Sequence, residues 1–81
     1  MSEEIKNFIN DLITVFQEKY NNSLKEKDNE AEKDREFRLG CNFAYFDILD
    51  VIELQLKSFG LKDDISYQIV PVLGQEINKE K

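Results

Sequence analysis

Between Phe37 and Gly60 the chain reads FRLGCNFAYFDILDVIELQLKSFG, a helix-forming run with more apolar surface than a single packing contact covers. Wound at about 100° per residue, Phe37, Cys41, Ala44, Tyr45, Ile48, Val51, Ile52, Leu56 and Phe59 gather on one broad face. Leu39, Phe43, Phe46 and Leu54 point largely the other way, and Leu49 bridges one flank. One neighbouring helix covers only one of these sets. The broad face is expected to take that neighbour, and Leu39, Phe43, Phe46 and Leu54 are the candidate interface. The end of the run is well marked: Gly60 suits the left-handed position after the helix, Leu61 follows it, and Leu56 stands where the accompanying apolar contact is made. Lys57 puts a cation in the last turn, where the helix dipole favours it.

The neighbour lies N-terminal. Ser2 can cap a helix, and Glu3 and Glu4 place anions in its first turn. Ile5, Phe8, Ile9, Leu12, Val15, Phe16 and Tyr20 follow at steps of three and four, one amphipathic stripe. Ile13 falls off that stripe and is expected either partly exposed or in contact with a further neighbour, while Lys6, Asn10, Asp11, Gln17 and Glu18 form the polar face. Two break signals follow, Asn21-Asn22-Ser23 and Asp28-Asn29. Leu24 continues the stripe four residues past Tyr20, which favours the second break. The first helix is then predicted over about residues 3–27 and the second over about 30–59. Asn29 is the expected cap of the second helix, with Glu32 as its capping-box acid. The charged stretch between suits a solvated hairpin tip, and its composition is also compatible with disorder.

After Gly60 the pattern is ambiguous. Ile65, Ile69, Leu73 and Ile77 step by four, whereas Ile65, Tyr67 and Ile69 also alternate. Pro71 fits neither element interior, and a lone strand would have no partner in this chain. A short helix over about residues 63–70, capped by Asp63 or Asp64, with a frayed tail from about residue 75, is the expected arrangement.

With 81 residues the chain is read as one all-α domain, 1–81. Cores of this size supply only about 3–5 kcal/mol unless reinforced. One cysteine and no histidine exclude an internal disulfide and a zinc site, which leaves oligomerisation as the common reinforcement. Two hairpins pairing through the second face of helix 2 would give a four-helix-bundle-like homodimer. A net charge of −6 argues against a phosphate-binding surface for nucleic acid. No apolar run approaches the roughly 20 residues of a membrane span. The single cysteine and the absence of a leader pattern imply the cytoplasm.

Little catalytic material is present. Cys41 has no histidine to activate it and reads as a small apolar core residue. Asp47, Asp50 and Glu53, at three-residue steps, are the best oxygen-ligand set for Mg²⁺. The unit Asp47-Ile48-Leu49-Asp50 resembles the DxxD of MazG-like nucleotide pyrophosphatases. Those enzymes also use an ExxE pair on a preceding helix, and this chain has none: Glu3-Glu4, Asp11 and Glu18 do not form one. Gly40, Gly60 and Gly74 are too far apart for a phosphate loop, and no cofactor motif is present. Gly40 could allow a close helix approach or a kink. Arg35 and Arg38 flank Phe37 and suit bidentate carboxylate contacts.

The string Leu39-Gly40, Phe43-Ala44-Tyr45-Phe46-Asp47-Ile48-Leu49, then Ile52, Gln55-Leu56 and Phe59-Gly60-Leu61 resembles a group of short uncharacterised all-helical proteins of low-GC Gram-positive bacteria, some of mobile-element type. The resemblance implies a helical core and no particular activity. The expected function is a small acidic, non-catalytic protein–protein interaction module, a phage or mobile-element accessory protein whose partners are a second copy of itself and another protein. Two alternatives stand beside it: an acidic inhibitor or nucleic-acid mimic of the anti-restriction or anti-CRISPR type, and a Mg²⁺-dependent MazG-like hydrolase using Asp47 and Asp50. Lys25, Lys27 and Lys33 interrupt the acidic surface such a mimic needs. On this reading Phe43→Glu or Phe46→Glu weakens a dimer, by sedimentation, more than it unfolds the hairpin, by circular dichroism.

Overall fold

Side chains that satisfy helix ends set the first element of the computed structural model, which describes residues 1–77. Helix α1 spans Glu3–Ser23, and the Ser2 hydroxyl accepts the Ile5 N–H at 3.3 Å as its cap. Helix α2 spans Glu32–Ser58 and packs back along α1 as a helical hairpin. A single 3-10 turn, Lys62–Asp64, follows, and among the described residues there is no strand. The all-helical hairpin is as expected; its edges and its third segment are not.

α1 stops at the first break signal, with Leu24 as its C-cap, instead of continuing to residue 27. The reason is a set of donors from α2 and from Ser23 itself. The last carbonyls of a helix have no partner within it. Arg38 Nη1 donates to the Ser23 carbonyl at 3.0 Å, and the Ser23 hydroxyl donates to that of Tyr20 at 2.6 Å. Asn42 Nδ2 donates to Ser23 Oγ at 3.0 Å. α2 begins after Ala31, with no side-chain cap, so the expected box of Asn29 and Glu32 does not form. Asn29 has φ of 58° instead, the left-handed turn conformation that asparagine tolerates. The far end of α2 matches its signals. Leu61 N–H bonds the Leu56 carbonyl at 2.8 Å and Gly60 N–H bonds that of Lys57 at 3.1 Å, a Schellman closure with Gly60 at φ 70°.

The predicted helix over 63–70 is replaced by the 3-10 turn and then by an irregular tail that runs along α1 in the same direction. Tyr67 bonds Asn10, Gln68 and Ile69 meet Gln17, Val72 to Gln75 meet Tyr20, and Ile77 meets Asn21. The step of four from Ile65 to Ile69 is a packing period, not a helical one. Both are buried, as is Pro71. The tail is not frayed from residue 75 either: Ile77 is buried, and residues 78–81 lie outside the described part.

The core therefore sits between three layers: α1, α2 and the tail. Ile13, Tyr20, Leu49, Leu56, Ile65, Ile69 and Ile77 form its buried centre. Of the two expectations for Ile13 the second holds: it is fully buried against a neighbour, because the tail covers the side of α1 that it shares with Gln17. Leu49, expected on a flank, is the centre of the buried line of α2. Gly40 lies in an uninterrupted helix, and a β-carbon there would meet nothing within 4 Å, so it serves no close approach.

Two substitutions test this packing. Ile69→Ala costs about 2–4 kcal/mol by urea denaturation, the loss of a fully buried branched side chain. Gly40→Ala raises stability by about 0.5–1 kcal/mol in the same assay, since an exposed helical glycine gains only from the entropy it no longer loses.

Candidate interaction surface

The tail fills one of the two grooves between α1 and α2. Asn10, Gln17 and Asn21, spaced seven and four residues apart, run down one side of α1 and hold it. Gln17 Nε2 donates to the carbonyls of Gln68 and Ile69, both at 3.1 Å. The Tyr20 hydroxyl donates to the Gln75 carbonyl at 2.7 Å, lies 3.1 Å from that of Val72 and accepts the Gly74 N–H at 3.1 Å. Asn21 exchanges two bonds with Ile77, 3.0 Å to its carbonyl and 2.9 Å from its N–H. Tyr67 donates to Asn10 Oδ1 at 2.6 Å, and burial pushes its phenol above the ordinary value.

The opposite groove has no such filling. On α1 its rim is Ile5, Phe8, Leu12 and Val15, of which Phe8 is 65% exposed. On α2 it is Phe37, Cys41, Ala44, Ile48, Val51 and Phe59, with Phe37 at 75% and Phe59 at 74%. These two lines share one side of the hairpin. At the connector end, Lys19 and Ser23 of α1 line one hollow together with Phe37, Cys41 and Tyr45 of α2, and Phe16 meets Tyr45 ring to ring at 6.4 Å beneath. The broad α2 face expected to pack on α1 is thus split, with Tyr45, Ile52 and Leu56 in or against the core and Phe37, Ala44, Val51 and Phe59 exposed. The expected α1 stripe is likewise split, with Ile9, Phe16 and Tyr20 inward and Ile5, Phe8 and Val15 outward.

The candidate set Leu39, Phe43, Phe46 and Leu54 lies on the other flank of α2. Leu39, Phe43 and Leu54 are exposed, while Phe46 is half-buried and packs on the core. Phe43 and Phe46 stack at 6.3 Å. Phe46→Glu therefore probes the fold as much as the surface, and Phe43→Glu is the cleaner substitution. Asp47 and Asp50 share this flank. Among the described residues no group of three or more His, Cys, Asp or Glu side chains is placed to hold a metal ion, and Glu53 pairs with Lys57 at 3.5 Å. Cys41 is half-buried. No described helix is long and apolar enough to cross a membrane.

The two arginines have different roles. Arg35 is exposed. Arg38 forks onto Glu30, Nε to Oε2 at 2.8 Å and Nη2 to Oε1 at 2.9 Å, and so ties the connector to α2 as well as to the end of α1. The hollow beside this clamp carries charges of both signs, Lys19, Lys25 and Lys27 against Asp28 and Asp34. Sequence reasoning missed Gln17, Tyr20 and Asn21 as the holders of the tail. The available signal was Gln17 itself, a polar residue set four residues from Ile13 and three from Tyr20, at core spacing.

No protein-family model matches the chain, and neither a curated protein nor a solved structure matches it.

The Arg38 hydrogen bond holds the Glu30 carboxyl below its ordinary value of 4.5. A depressed acid contributes stability that is fully present above the unfolded value and is lost as pH falls through the folded one. Thermal melts of the wild type and Glu30→Gln should therefore differ most near neutral pH and converge as pH drops below 4.5.

Proposed function

We propose that this chain is a small non-catalytic protein–protein interaction module, an accessory or regulatory protein of the kind a phage or mobile element carries, working in the cytoplasm. It pairs with itself in a four-helix-bundle-like arrangement and presents a further flank of α2 to another protein. One observation carries the reading: among the described residues, more large apolar side chains stand in solvent than in the core, and most of them fall on two helix surfaces, Ile5, Phe8, Val15, Phe37, Val51 and Phe59 on one and Leu39, Phe43 and Leu54 on the other. Large contiguous apolar patches mark interaction sites, whereas scattered exposed apolar residues are ordinary.

The flank of Leu39, Phe43 and Leu54 suits the heterologous partner. Its apolar groups are interspersed with Asp47 and Asp50, so it favours a surface with both apolar and basic groups. Cross-linking capture in the native host, comparing the wild type with a Phe43→Glu/Leu54→Glu variant, tests this. The expected result is a protein cross-linked by the wild type and lost with the variant, at unchanged helicity. Identical captured sets for both proteins would refute the flank as a binding surface.

A further inference from the structure

We infer that the open groove of the hairpin, not the Leu39–Phe43–Leu54 flank, is the face on which a second copy of this chain docks. The inference rests on the interaction-module reading and names the surface through which self-pairing occurs.

Three observations choose the occupant. The first is chemical. The filled groove holds an irregular peptide because Gln17, Tyr20 and Asn21 supply donors to its carbonyls. The open groove has no equivalent. Between Ile5 and Val15 on α1, the residues turned to it are Ile5, Phe8, Leu12 and Val15. On α2, Gln55 alone interrupts the apolar line between Phe37 and Phe59. Backbone that cannot reach water needs partners, so an extended segment is a poor occupant here. A surface whose backbone is already satisfied, a helix face, is a good one. The second copy offers two such faces of the same composition.

The second observation is area. A compact chain of 9.6 kDa scales to about 5,100 Å² of accessible surface, whereas this one exposes 6009 Å². The excess, about 900 Å², is spread over the whole elongated molecule, 47 × 25 × 19 Å, and is of the order of the roughly 800 Å² per partner that a standard interface removes.

The third is charge. Copies carrying −6 each repel. A self-complementary interface must therefore keep like charges out of its centre, since a two-fold sets a patch against itself. The open groove meets that condition from Ile5 to Val15 on α1 and from Cys41 to Phe59 on α2, its charges being confined to the connector end, where Lys19 and Asp34 are of opposite sign. The other flank does not, because pairing it with itself brings Asp47 and Asp50 of both copies together. Stacking two open grooves gives a four-helix layer with both tails on the outside.

Sedimentation velocity on the full chain, with three proteins, decides the matter. The wild type is expected to form dimer at micromolar concentration. Phe8→Glu/Val51→Glu, at positions exposed in the single chain, is expected to raise the dissociation constant by about 30-fold or more while helicity is kept. Phe43→Glu/Leu54→Glu is expected to leave it within about threefold. Because the association is apolar between like-charged copies, added salt strengthens it or leaves it unchanged. A second readout needs no variant. Cys41 lies on the groove, so its alkylation rate in the wild type falls as protein concentration rises from about 1 to about 100 µM.

A wild type that stays monomeric over that range overturns the inference. So does a dimer broken by the Phe43/Leu54 variant and not by the Phe8/Val51 variant, and so does a Cys41 rate that ignores concentration. These failures are separable from failure of the broader reading. A monomer whose Phe43/Leu54 variant loses its captured partner remains an interaction module, whereas an open-groove dimer with no flank-dependent partner does not support the heterologous half of it.

Discussion

The hydrogen bonds from Gln17, Tyr20 and Asn21 to the tail determine most of what this fold presents to its surroundings. An irregular segment buried against a helix carries carbonyls that no secondary structure satisfies, and each left without a donor costs about 1–3 kcal/mol. Here α1 supplies the donors from side chains on one of its sides. That side must face the tail, which fixes the rotation of α1 about its axis. Ile13 and Gln17 turn inward, and Ile5, Phe8 and Val15 are carried out to the surface. The exposed apolar rim is therefore a geometric consequence of how the tail is held.

The same chemistry recurs at the connector. Arg38 and Asn42 reach from α2 to atoms at the end of α1, and the Arg38–Glu30 fork brings the loop into the arrangement. Every buried side-chain polar atom among the described residues has a partner. The polar groups inside this small protein are thus concentrated at two places, the hairpin tip and the filled groove. Both fix register. The apolar groups do not: Leu49 and Leu56 would tolerate a range of rotations, but Asn42 and Gln17 would not.

How much of this the sequence discloses depends on which signal is local. The two helices, the Ser2 cap and the Gly60 closure are local patterns, and each is realised in the fold. The failures are all tertiary. The stripe carries the expected end of α1 past Ser23 because Leu24 extends it, and nothing near it in sequence says that Arg38 will satisfy the carbonyls there. The segment after Asp64 reads as helix because Ile65 and Ile69 keep a step of four, a spacing that a tail packed on a helix can also adopt. A helical wheel sets Ile13 and Leu49 at the margins because it assumes a single partner, whereas each helix packs on two neighbours. Of the candidate interface, Leu39, Phe43 and Leu54 are exposed and Phe46 is not. The larger apolar surface is hidden in the sequence inside the face that the wheel assigns to packing.

The contacts that fix the tail span 51 to 57 residues of chain. Chains emerge from the ribosome N-terminus first, and local structure forms before distant closure is possible. The local contacts of the helices therefore precede closure of the tail, and the amides of Gln17 and Asn21 stay in water until residues 67–77 reach them. During that interval both grooves are open, and what distinguishes them is the set of donors on one side of α1. Whichever apolar surface reaches a groove first competes with the tail for one of the two, and only the groove with donors discriminates in the tail's favour. The placement of three polar side chains on α1 thus also works as a sorting rule, sending residues 67–77 to one side and leaving the other open.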